Sequence, residues 1–169
     1  MKPRAPVTDE QLDQIPLDPA ESDKMRARVL RLSMRIDALG LSEDLLTGVS
    51  LIRAGCIYAS LLGLPPEDLW RFVRMGVQMA PRRDVSRVLE MTEERLQKHT
   101  LRVLLVSREV LAEDGADDFD ALAVQLIVGA MQLRFGGLAE AQIAALFGFV
   151  IGSADKLVVA HALRSKVEA

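Results

Sequence analysis

Aromatic side chains are scarce: they make up 4% of the 169 residues, with one Trp and one Tyr. Half of the residues are nonetheless hydrophobic, so a core has to be assembled from Leu, Val, Ile, Ala and Met. Aliphatic cores of that kind suit helix-on-helix packing better than sheets, which favour β-branched and aromatic residues. A single cysteine, Cys56, excludes an internal disulfide and fits a reducing compartment. It lies in the most apolar stretch of the chain, where burial keeps a thiol inert. Neither of the two histidines belongs to an H-E-x-x-H pair, and Cys56 has no companion at ligand spacing, so no metal or cofactor is expected. No serine stands in a G-x-S-x-G turn and no glycine-rich loop has phosphate-binding form, so the expected class is non-enzymatic. The net charge of −3 argues against bulk electrostatic attraction to nucleic acid.

What the chain does have is helical periodicity. Val85, Leu89, Thr92, Leu96, His99, Val103, Val106 and Val110 keep four-three spacing, which predicts one long helix from Asp84 to about Glu113 with one side packed. A break at Thr92 is the alternative, because Thr92-Glu93-Glu94 also reads as a fresh N-terminus. Residues 1–17 read as a flexible tail bracketed by Pro3, Pro6 and Pro16. Asp18 and Pro19 open a first helix with the stripe Met25, Val29, Leu32 and Ile36, stopped by Gly40. Ser42 opens a second helix that runs to about Leu62; Arg53 is its only charge after the first turn, so it is expected at the centre. Pro65 and Pro66 open a third, stopped at Ala80-Pro81. Beyond Gly115, helices are expected from about Asp117 to Gly136, from Ala139 to Ile151 and from Ser153 to about Lys166. Residues 18–169 thus read as a single-domain all-α bundle of about seven helices. The stretch Leu45 to Leu64 approaches membrane-span length, but its Ser, Thr and Gly content favours a buried helix. With no secretory signal at the N-terminus either, a cytoplasmic protein with no membrane span is expected.

One pattern reaches beyond secondary structure. Residues 51–77 can be laid on residues 126–151 with a single one-residue gap, so that Gly63-Leu64 meets Gly137-Leu138. Leu69, Phe72, Val73, Met75 and Val77 then meet Ile143, Leu146, Phe147, Phe149 and Ile151, and each copy follows a heptad helix. One reading is a duplicated three-helix unit closing on itself about a pseudo-twofold. The other is that any two apolar hairpins with a Gly-Leu turn align this well.

Candidate functional residues fall into a few groups. Lys24, Arg28, Arg31 and Arg35 share one face of the first helix, and Arg71, Arg74, Arg82, Arg83 and Arg87 cluster around Pro81. Arginine suits bidentate binding of phosphate or carboxylate, so these sites could serve an anion, a partner or DNA; a solvated face answering acidic patches is the alternative. A helix-turn-helix over residues 141–149 fails because Val150, Ile151 and Gly152 stand where base-reading side chains belong. The acidic run 114–120 lacks calcium-loop spacing. His99, inside the heptad stripe, is a candidate for pH-sensitive packing. Met75, Met79 and Met131 could line an apolar small-molecule pocket between helices. Leu101, Leu104, Leu105 and Leu111 lie outside the heptad stripe and make the second half of that helix apolar nearly all round. They are the expected interface of a homodimer, in a protein that works by self-association and by docking an unidentified protein partner.

Overall fold

The computed structural model describes residues 19–41, 45–85, 89 and 91–152. Six helices make up the described chain: α1 (Pro19–Ala38), α2 (Leu45–Leu61), α3 (Pro66–Met79), α4 (Glu93–Glu113), α5 (Asp118–Phe135) and α6 (140–152). Among the described residues there is no strand. The sequence predicts about seven helices; the seventh, over residues 153–166, and the tail over residues 1–17 lie outside the described residues.

Glycine sets four of the five connections between consecutive helices. Gly40, Gly63, Gly115 and Gly137 each adopt a positive φ, between 67° and 94°, which an L side chain adopts only under strain. At each turn the next residue's N–H reaches back five positions: Leu41 to Ile36, Leu64 to Ala59, Ala116 to Leu111 and Leu138 to Leu133, at 2.9–3.1 Å. These bonds satisfy carbonyls that a helix end would otherwise leave unpaired.

The long helix expected over residues 84–113 is the main correction. Helix α4 begins only at Glu93, where the Thr92 hydroxyl accepts a hydrogen bond from the Arg95 N–H at 3.2 Å. The cap and the acidic first turn win over the heptad, because they satisfy helix-terminal donors that a repeat of apolar residues cannot. Residues 80–85 instead form an irregular strap, in which Val85 is exposed. The buried face of α4 is also rotated from the heptad stripe. Leu96, Thr100, Val103, Ser107, Val110 and Leu111 are buried, while His99 and Val106 are only partly so. Ser107 tolerates that position because its hydroxyl donates to the Val103 carbonyl at 2.6 Å.

The centre is a pair of helices running in opposite directions, α2 and α5, each buried nearly all round. They approach backbone to backbone at Gly48 and Gly129, where a Cβ on Gly129 would lie 2.9 Å from the Gly48 carbonyl oxygen. Helix α3 comes equally close to α5 through Gly76. The central place of α2 agrees with the sequence reading. Its partner in the core is α5 rather than the 101–111 half of α4, because glycine lets α5 nest where Arg102, Arg108 and Glu109 keep α4 at the periphery. Among the described residues no helix is long and apolar enough to cross a membrane.

Candidate interaction surfaces

The basic stripe of α1 meets acids of the same chain. Arg28 lies 3.0 Å from Asp120, Arg31 2.8 Å from Asp114 and Arg35 3.8 Å from Glu109. This ladder ties α1 to the start of α5, the α4–α5 turn and the last turns of α4, and it sets a carboxylate against each of the three arginines of the stripe; Lys24 is exposed. The second cluster is similarly engaged. Arg74 lies 3.9 Å from Glu140, and Arg71 stacks on the neighbouring Phe72 ring at 4.6 Å. Arg82 donates to the Gly137 carbonyl at 2.9 Å, and Arg83 sits 4.8 Å over the Phe135 ring. Arg134 answers from α5 by donating to the Ala80 carbonyl at 3.3 Å. The cluster around Pro81 thus fastens the 80–85 strap onto the α5–α6 turn. Arg87 lies outside the described residues.

The leucines expected at a dimer interface divide. Leu111 is 2% exposed inside the chain's own core, so a second chain cannot reach it. Leu104 is partly buried against that core. Leu101 and Leu105, one turn apart, are each 60% exposed. On α1, Leu30 and Met34 repeat the arrangement and are exposed to the same extent. Met34 and Glu109 line a groove of about 330 Å³ between the two helices, together with Arg31, Arg35, Ala38, Val110 and Glu113.

A second groove, of about 340 Å³, is lined by Cys56, Ala59, Ser60, Gly63, Leu64, Pro65, Leu69 and Ile151. The sequence reading passed over it, because the small residues that leave the space open look like ordinary helix filler. Met75, Met79 and Met131, offered by the sequence as pocket residues, line neither groove; Met75 and Met131 pack against the core and Met79 is exposed. His99 stands at the flank of α4's buried face rather than in a central seam.

A fully buried arginine also escaped notice as more than a lone charge. Arg53 in α2 has no solvent exposure, and its Nη2 lies 2.8 Å from the carboxylate of Glu93, the first residue of α4. Its Nε and Nη1 are buried without hydrogen-bond partners, as are the hydroxyls of Thr47, Ser50 and Thr100. No group of three or more His, Cys, Asp or Glu side chains that could hold a metal ion occurs among the described residues. No protein-family model, curated protein or solved structure matches this chain.

Proposed function

We propose that the chain is a non-enzymatic interaction protein that pairs with a second copy of itself through the outer faces of α4 and α1. The observation that carries this reading is the inverted polarity of α4. Two hydroxyl residues, Thr100 and Ser107, occupy its buried side, while Leu101 and Leu105 stand 60% exposed on its outer side. A second apolar face covering those leucines would stabilise the pair by on the order of 1–2 kcal/mol for each leucine removed from water. A copy of the same helix can supply that cover. Laid antiparallel about the point between Leu101 and Leu105, α4 would set Leu101 against Leu105 of the partner subunit.

Leucine replacement tests the arrangement. Leu101→Glu should weaken dimerisation by about tenfold or more in dissociation constant, because it sets a carboxylate against Leu105 of the partner subunit. Light scattering across a dilution series reads the result. An unchanged dissociation constant would refute the arrangement. DNA and apolar ligands draw less support, since the arginine clusters largely face carboxylates, carbonyls and rings of the same chain, and Met75, Met79 and Met131 line neither groove.

We further infer that the six helices are two copies of a three-helix unit, α1–α3 and α4–α6. Paired contacts support this reading. Gly55 packs on Leu122 and Leu126, and Gly129, 74 positions later, packs on Gly48 and Ile52, which precede Leu122 and Leu126 by the same interval. The interval also relates Gly63 to Gly137, so the one-residue gap of the sequence alignment is not needed. A methyl at either helical glycine meets its neighbours at 2.8–2.9 Å. Gly55→Ala and Gly129→Ala should therefore both lower stability, by about 1–3 kcal/mol each in urea unfolding, with the larger loss at Gly129, where the methyl meets the Gly48 carbonyl oxygen. A large loss at one site with none at the other would count against the two-copy reading.

A further inference from the structure

The 80–85 strap leaves α3 at Met79 and crosses the α5–α6 turn. Its Val85 and Arg83 carbonyls rest against Gly137, Arg82 donates to the Gly137 carbonyl, the Arg83 N–H donates to the Arg134 carbonyl at 3.4 Å, and the Arg83 guanidinium covers Phe135. Gly137 is buried beneath it. Moved on by the 74 positions that relate the two hairpins, the strap falls on residues 154–159. Ala80 and Val85 recur there as Ala154 and Val159, and the cation of Arg82 recurs in Lys156. Two further positions differ in concert. Leu157 stands for Arg83 and Leu61 for Phe135, so a guanidinium and a ring are exchanged for a pair of leucines.

We infer that residues 154–159 seat across the α2–α3 turn as the strap seats across the α5–α6 turn, so that the chain closes its own groove. The inference rests on the two-copy reading above. The chain leaves α6 at the right place, because Ile151 lines the groove together with Gly63, Leu64 and Leu69. Residues 153–169 follow, more than a strap needs. Gly152 is a poor residue on which to prolong a helix, which favours departure from α6 there over the helix that the sequence predicts from Ser153. Once seated, Lys156 would donate to the Gly63 carbonyl as Arg82 does at Gly137. Leu157 would cover Leu61, which is 67% exposed among the described residues. Gly63, at φ 69° and without a side chain, matches Gly137 in leaving a backbone room to cross. Asp155 replaces Pro81, so Lys156 and Leu157 must hold the second strap without a proline to stiffen it.

Cross-linking with a short bismaleimide tests the placement in the full chain, with Cys56→Ala removing the native thiol. A chain that also carries Leu61→Cys and Leu157→Cys should cross-link within itself about tenfold or more faster than one carrying Leu101→Cys and Leu157→Cys. Adding Lys156→Glu should slow the first reaction by about fivefold. Comparable rates for the two pairs, or a rate indifferent to Lys156→Glu, overturn the inference. So does an equally fast cross-link between separate chains that carry Leu61→Cys and Leu157→Cys singly, since the occupant is then a second copy. A second measurement leaves Cys56 in place: Leu157→Glu should lower the midpoint of urea unfolding, and Leu61→Lys added to it should recover most of the loss. No recovery overturns the inference as well. If Gly55→Ala and Gly129→Ala both lower stability while the cross-link fails, the two-copy reading survives and only the second strap falls.

Discussion

Glu93→Ala is expected to destabilise the chain by about 3 kcal/mol, and Arg53→Met by less than about 1 kcal/mol. The two residues share one ion pair at 2.8 Å, so a simple count of interactions would give them equal weight. Their surroundings differ. The Arg53 side chain has no exposure, whereas that of Glu93 is 57% exposed. Removing the carboxylate strands a guanidinium in the interior, with Nε and Nη1 already lacking partners. Removing the guanidinium returns Glu93 to water, where a carboxylate is well solvated, and methionine fills most of the vacated volume. For a chain of this length the Glu93 loss corresponds to a fall of roughly 6–12 °C in Tm. The double variant should resemble Arg53→Met alone, because the stranded charge is then gone. Thermal unfolding of the three variants checks this; equal losses for the two single substitutions would show that burial does not separate the partners.

Gly76→Ala is the second large effect, at about 3 kcal/mol or more. A methyl at residue 76 collides with the Ile127 carbonyl oxygen and sits 2.8 Å from the Ala130 Cβ. A helix backbone cannot give way as a flexible side chain can, so α3 and α5 would have to separate along their contact. Gly148→Ala is the contrast. That glycine is helical and exposed, with open space around its Cβ position. Alanine there should stabilise the protein by roughly 0.5–1 kcal/mol, through helix propensity and a more restricted unfolded chain. Urea unfolding of the pair gives opposite signs if close packing at residue 76, rather than glycine content in general, sets the α3–α5 distance.

Particular residues explain how much was legible beforehand. Gly40, Gly63, Gly115 and Gly137 announced their turns, because only glycine meets that backbone conformation without strain. The central place of α2 was legible from its having Arg53 as its one charge. The start of α4 was misread because Val85 and Leu89 fall in register with Leu96 by spacing alone. Periodicity does not sense that Arg82 and Arg83 fasten the preceding segment to the α5–α6 turn. The arginine stripe of α1 was visible, but not its partners. Asp114 and Asp120 are more than 80 positions away, and a single sequence does not show which acids fold back to meet it. The Gly63 groove was hidden for the same reason. It is a space left between elements and not a property of any one segment.

The reading as an interaction protein stands on the outward leucines of α4, and sedimentation velocity tests it most directly. The natural chain should sediment as a dimer at tens of micromolar, and a Leu101→Glu, Leu105→Glu variant should sediment as a folded monomer of unchanged helix content. A natural chain that remains monomeric throughout that range would contradict the account.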